Sequence, residues 1–119
     1  MGVRMQFLED PRGGDRIWRL LSGNNRPLAI GRGDLRSPLD VLAAVRRLAR
    51  EAEPTLRRDP DGRWRWEISA DGTDVQCPVV FARRIDARRA FHRFTQAVEH
   101  AVVTTAYLSP VIVQREPEQ

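Results

Sequence analysis

Arg63-Trp64-Arg65-Trp66-Glu67-Ile68 stands between Asp61-Gly62 and Asp71-Gly72. Trp64, Trp66 and Ile68 alternate with Arg65 and Glu67, which is the two-residue period of a half-buried strand. Both Asp-Gly dipeptides favour tight hairpin turns, so the stretch predicts the middle strand of a three-stranded meander. The pattern occurs again as Arg16-Ile17-Trp18-Arg19-Leu20-Leu21, between Gly13-Gly14 and Asn24-Asn25. A pattern met twice predicts two copies of one unit.

Working outward, each copy completes itself. In the first, about residues 3–53, Val3, Met5 and Phe7 alternate with polar neighbours as a first strand. The cluster Asp10-Pro11-Arg12-Gly13-Gly14-Asp15 predicts a turn. A second strand is expected over about Arg16 to Ser22 and a third over Pro27 to Gly31. Pro27 cannot donate to a ladder, so it places the third strand at its own start or on an edge. Ser37 then caps a helix, Pro38 fits its first position, and Asp40 suits its positive end. Val41, Leu42, Val45, Leu48, Ala49 and Ala52 form one apolar stripe, and Pro54 ends the helix. The second copy, about residues 55–101, has strands at Thr55 to Arg58, Arg63 to Ser69 and Val75 to Phe81, with Pro78 again marking an edge. Asp86 is expected to cap its helix, whose stripe is Ala90, Phe91, Phe94, Ala97, Val98 and Ala101. Setting Ser37 against Asp86 aligns Val41 with Ala90, Leu42 with Phe91, Val45 with Phe94 and Leu48 with Ala97. The fold expected is α+β: two pseudo-symmetric β-β-β-α repeats, an antiparallel sheet with two helices packed on one face.

The 119 residues are 41% hydrophobic and 30% charged, a globular balance rather than a disordered one. One domain is expected over residues 1–103, followed by an extension over 104–119. In that extension Tyr107 to Val113 predicts an added strand or a docked tail, and Gln114 to Gln119 a frayed polar end. No apolar run approaches the ~20 residues a membrane helix needs, and Met1 to Asp10 holds no secretory hydrophobic core. The lone Cys77 cannot form an internal disulfide, so a cytoplasmic location is expected. The net charge is +4, and all 20 basic residues are arginine. A high-GC genome explains that bias; the planar guanidinium fork, suited to phosphates and carboxylates, is the functional explanation.

The doubled pattern resembles the YegP-like family, a domain of unknown function of bacteria and archaea. The residues that carry the resemblance are Met5-Gln6-Phe7-Leu8, Trp18-Arg19-Leu20, Gly23-Asn24-Asn25 and the Ser37 cap, then Asp61-Gly62-Arg63-Trp64-Arg65-Trp66 and Asp71-Gly72. It covers roughly residues 5–101. It implies that the copies are pseudo-two-fold mates, as the subunits of dimeric single-copy relatives are. The family brings no established activity. This chain departs from its pattern at Asn25, where glycine is usual, and in the Gly-rich, Tyr-Ser segment before each helix, least kept at Arg83-Arg84-Ile85.

Candidate sites are few. Cys77 lies among Val75, Val79 and Val80 and reads as a small buried hydrophobe rather than a nucleophile. His92 and His100 fall on the exposed face of the second helix about 12 Å apart, too far to share one metal. No metal or cofactor is expected. Arg32-Gly33-Asp34 matches an integrin-binding tripeptide by chance, and Gly31-Arg32-Gly33 lacks the third glycine of a dinucleotide fingerprint. Trp18, Trp64 and Trp66 read as core rather than base-stacking platforms. Ile17 and Leu21 point away from Trp18 and Leu20, so the far sheet face is expected to be covered by the C-terminal segment or a partner chain.

The sharpest expectation concerns arginine. Arg46, Arg47 and Arg50 occupy the second half of the first helix. Arg88, Arg89 and Arg93 occupy the first half of the second. Antiparallel helices would gather all six, extended by Arg83 and Arg84, into one patch. The expected function is a small non-catalytic binding module for an anionic partner, either nucleic acid bound non-specifically through its backbone or an acidic protein surface. The alternative is a protein–protein interaction module or an accessory subunit of an enzyme, using the sheet face and the apolar C-terminal segment. No membrane partner is expected, and the chain would be a monomer or homodimer.

Overall fold

The computed structural model of the chain describes residues 2–9, 16–32 and 36–107. Strands β1 (Arg4–Glu9), β2 (Ile17–Leu21) and β3 (Pro27–Arg32) precede helix α1 (Pro38–Glu51). Strands β4 (Thr55–Arg58), β5 (Trp64–Ala70) and β6 (Thr73–Gln76) precede α2 (Arg84–Val98), and β7 (Val102–Tyr107) follows. The seven strands form one sheet in the order β4-β5-β6-β3-β2-β1-β7. The architecture is α+β, as the two meanders predict.

Turn chemistry sets the meanders. Asn25 (φ 66°) takes the left-handed conformation where glycine would be usual, its N–H bonded to the Ser22 carbonyl; asparagine is among the few residues that tolerate this. Asp71 (φ 50°) and Gly72 (φ 80°) both have positive φ between the paired residues Ala70 and Thr73. That is the primed turn whose twist matches a two-residue hairpin.

Pro27 stands at the start of its strand, one of the two places expected for it, whereas the edge expected from Pro78 is overturned: the third strands of the two repeats meet in the middle of the sheet. Among the described residues their ladder registers at Ile30 and Gln76. These two positions are equivalent. Gly31 lies opposite Trp18, Cys77 donates its N–H to the Trp66 carbonyl, and Ile30 and Gln76 each precede those residues. An antiparallel pair of equivalent residues puts the pseudo-two-fold axis between them. The prolines stay outside the central pairing: Pro27 opens β3, and Pro78 follows β6. Pro78 also ends the third strand at Gln76 rather than Phe81. The chain leaves the ladder there and returns at Phe81, which exchanges two backbone hydrogen bonds with Trp64 (2.7 and 2.8 Å).

β7 pairs in parallel with β1, from Arg4–Val102 to Glu9–Tyr107, so the sheet is mixed rather than wholly antiparallel. The reason is the route of the chain. Each helix carries it from the centre of the sheet to an edge: α1 from β3 to β4, α2 from β6 to β7. The strand begins at Val102, ahead of the 104–119 extension. It lies beside β1, not across the far face of the sheet. Residues 108–119, with Val111-Ile112-Val113, lie outside the described residues, as do the turn Asp10–Asp15 and the Gly33 and Asp34 of the tripeptide.

Both helices bury their stripes against one face. Met5, Phe7, Trp18, Leu20, Trp66, Ile68 and Val75 meet Val41, Val45, Phe91, Phe94 and Val98 in a continuous core. Each such side chain contributes roughly 1.5–3 kcal/mol on leaving water. Trp66 stacks on Phe94 (4.9 Å between centroids) and meets Phe91 edge-on at 5.2 Å. Trp18 lies on Gly31 so closely that a Cβ there would fall 2.4 Å from its ring. On the opposite face Arg19 donates to Gln6 (2.8 Å), Arg65 pairs with Asp59, and Arg57 with Glu67. Leu21 is buried and Ile17 half-buried.

Candidate anion-binding surface

The helix starts differ, and the difference shapes the surface. Ser37 Oγ accepts the Asp40 N–H at 3.2 Å and caps α1 as expected. α2 begins earlier than expected: its N-cap is Arg83, which offers no side-chain cap, and Asp86 lies inside the first turn. Asp86 is occupied by the Arg83 guanidinium, which donates to both carboxylate oxygens at 2.9 and 3.1 Å. That pairing holds the Asp86 carboxyl below its ordinary range, with further help from Arg89 and Arg93. Asp86 still occupies the position that aligns with Ser37; α2 extends toward its N-terminus beyond it.

The expected gathering of arginines resolves into separate groups. Arg46, expected to face solvent, is half-buried. It donates to the Val98 carbonyl (3.0 Å) and the Ala101 carbonyl (2.8 Å), satisfying carbonyl groups at the end of α2. Arg50 makes a two-pronged contact with Glu99 (2.7 and 2.8 Å), which raises its own pKa and lowers that of Glu99. The second half of α1 therefore lies against the C-terminal end of α2, not its first half. Arg47 borders a shallow hollow with Glu51 and Asp71 on another side of α1. Arg88 stands about 15 Å along the helix axis from the Val98 that Arg46 holds.

What remains is the N-terminal half of α2. Arg83, Arg84, Arg89 and Arg93 are exposed and Arg88 is half-buried. The Arg84 guanidinium lies over the Trp64 ring, 6.0 Å from its centroid, which gives the half-buried tryptophan a cationic cover. Arg89 reaches to 4.0 Å of Asp86. Five arginines thus face one carboxylate between residues 83 and 93. The exposed apolar side chains Val79 and Ile85 lie beside them in the chain.

Trp64 departs from its expected core position, half-buried beneath Arg84, whereas Cys77, Trp18, Trp66, His92 and His100 have the burial or exposure expected of them. Cys77 is buried, its Sγ 3.4 Å from the Trp66 N–H, and burial pushes its thiol pKa up. Trp18 and Trp66 are core. His92 and His100 are exposed. Among the described residues no group of three or more His, Cys, Asp or Glu could hold a metal ion, and no helix is long and apolar enough to cross a membrane. The role of Arg46 was not legible, because its acceptors come from a helix end more than fifty residues away.

No family model matches the chain, and no curated protein matches it. The solution NMR structure of yegP, a protein of unknown function from E. coli, superposes with a TM-score of 0.75 at 12% identity, covering 92% of this chain and 97% of that one. The chain has a YegP-like fold.

Proposed function

We propose that the protein is a non-catalytic binding module that engages an anionic macromolecular surface through the N-terminal half of α2. One observation carries the reading: arginines crowd the positive end of a helix. The first turns of a helix favour acidic groups by about 0.3–1 kcal/mol each and disfavour cations. α2 places Arg83 and Arg84 there and Arg88 and Arg89 in the turn that follows, with Asp86 as the acid of its first turn and no side-chain cap. Such an arrangement costs stability in the free protein, and an anion relieves it. Phosphate or carboxylate groups would meet the guanidiniums and the free N–H groups of the first turn together.

A nucleic-acid backbone is the first partner to test. Anisotropy of a labelled oligonucleotide at low salt should show binding without sequence preference. Plotted as log affinity against log salt, it should be steep, at roughly −0.9 per phosphate neutralised. Replacing Arg84, Arg88 and Arg89 together by Gln should flatten the slope by about 2–3. An unchanged slope in the triple variant, or no binding by the wild type, would remove the nucleic-acid reading. Retention of the wild type on an acidic protein column in the absence of oligonucleotide binding would select the acidic protein surface.

A further inference from the structure

The joint between the repeats is thin. β3 and β6 register at Ile30–Gln76, and a cavity opens on either side of that pair. The two cavities differ in chemistry. One, about 280 Å³, is bordered by Arg32 together with Glu67 and Asp74, so it supplies both signs of charge. The other, about 330 Å³, has no acidic residue on its walls.

The second cavity is built by the departures from strand regularity described above. The register of β2 on β3 shifts between Leu20 and Leu21, leaving Leu28 the extra residue between Ala29 and Pro27. A bulge of this kind re-aims a side chain, and Leu28 packs with the core on the cavity wall. Pro78 and Val79 leave the β6 ladder and supply the facing wall, while Phe81 and Ala90 close it from the strand return and α2. Trp66 is its floor. Arg26, from the β2–β3 turn, and Arg93, from α2, form its charged rim. Neither guanidinium donates a hydrogen bond or closes an ion pair within 4 Å among the described residues. The Trp66 indole N–H is buried and has no acceptor there either.

The polar side-chain groups around this apolar space are two exposed guanidiniums, the Cys77 thiol and a buried indole N–H without an acceptor, and no carboxylate stands among them. A buried donor left unmatched is costly, and two exposed guanidiniums on the rim of one apolar cavity favour a single anionic head. The volume is at the small end of ligand sites and equals about eleven waters of liquid, or a body of about ten non-hydrogen atoms. We infer that this cavity is a binding site for a small amphipathic monocarboxylate, its carboxylate held between Arg26 and Arg93 and its apolar body between Leu28, Val79, Phe81 and Ala90. The site goes beyond the macromolecular surface proposed above and adjoins it through Val79, Ala90 and Arg93.

Octanoate and its neutral counterpart octanol are the probes, titrated into the ¹⁵N-labelled full chain by NMR. The Trp66 indole resonance is assigned by its loss in Trp66→Phe. Octanoate should shift it saturably with a Kd of about 1 mM or lower, and octanol should bind about tenfold more weakly. Arg93→Gln and Arg26→Gln should each weaken octanoate about tenfold and leave octanol unchanged. Leu28→Trp, which fills the chamber, should abolish both while oligonucleotide binding by the α2 arginines persists. If that variant does not fold, the two surface substitutions decide. No shift of the indole at about 10 mM octanoate, equal affinity for octanol, or insensitivity to both arginine substitutions would overturn the proposal.

Discussion

The two helices open on opposite rules, and α2 opens about a turn earlier, with Asp86 where α1 has its Ser37 cap. α1 opens with a serine cap, a proline and Asp40, with its arginines at and beyond Arg46. α2 opens with an uncapped Arg83 followed by Arg84, Arg88 and Arg89. The first choice suits an isolated helix; the second suits a helix that receives an anion. The same asymmetry reaches the core. Trp18 rests on a bare Gly31, whereas Trp66, in the matching place, has Cys77 beside it and two phenylalanines of α2 above it. The two copies share a meander and differ in how its tryptophan is packed, on a bare glycine in the first and among Cys77, Phe91 and Phe94 in the second.

Exchanging the residues under the tryptophans should break the comparison most severely. Gly31→Cys brings the residue of the second repeat into the first and sets a Cβ against the Trp18 ring. A loss of about 1–3 kcal/mol or more is expected in urea unfolding, whereas the reverse change Cys77→Gly should cost about 1 kcal/mol. Equal effects would show that Trp18 has room the structure denies it.

The helix ends come next. Arg46→Gln removes two charged hydrogen bonds to the end of α2 and should cost about 1.5–3 kcal/mol, while Arg88→Gln should stay within about 0.5 kcal/mol. Smaller still, Ser37→Ala should cost about 1 kcal/mol through its lost cap. Arg83→Ser, which gives α2 the cap of α1, should gain a few tenths to about 1 kcal/mol. A stabilised Arg83→Ser that binds oligonucleotide less well would sharpen the view that α2 departs from helix stability for the sake of an anion.

The smallest effect is a pH signature. Arg50 lowers the folded pKa of Glu99 below its ordinary 4.5, so the unfolded chain takes up the proton first as pH falls. The contribution of this pair is present above pH 4.5 and disappears as pH drops through the depressed folded value. The melting-temperature difference between wild type and Arg50→Gln should shrink in that window. A difference that persists unchanged to lower pH would assign it to packing instead.

Much of the fold was legible because local rules agreed. Alternation marked β2 and β5, Asp71-Gly72 marked its hairpin, and Ser37-Pro38 marked α1. Three features were not, each for a physical reason. Asp86 has the chemistry of a cap, but it is drawn into a pair with Arg83 and α2 starts earlier. β7 is placed by pairing with a strand about a hundred residues away, and local sequence does not encode such a register. Pro27 opens β3 opposite Leu21 and Pro78 follows the end of β6, yet the two strands still meet in the middle because one pair, Ile30–Gln76, suffices to join the repeats. At the candidate surface, the arginines of α2 were legible from spacing. Their separation from Arg46 and Arg50 was not, since it depends on which parts of the helices touch. The cavity left no sequence signal beyond an irregular Pro78.

The most direct test is amide chemical-shift mapping with a short oligonucleotide at low salt. The N–H groups of Arg84 to Ala87, in the first turn of α2, should move together with Arg88 and Arg89, while those of Pro38-flanking Leu39 to Val41 in α1 stay still. Equal movement at the start of α1, or movement confined to Arg46 and Arg50 at the other end of the helical layer, would contradict the account.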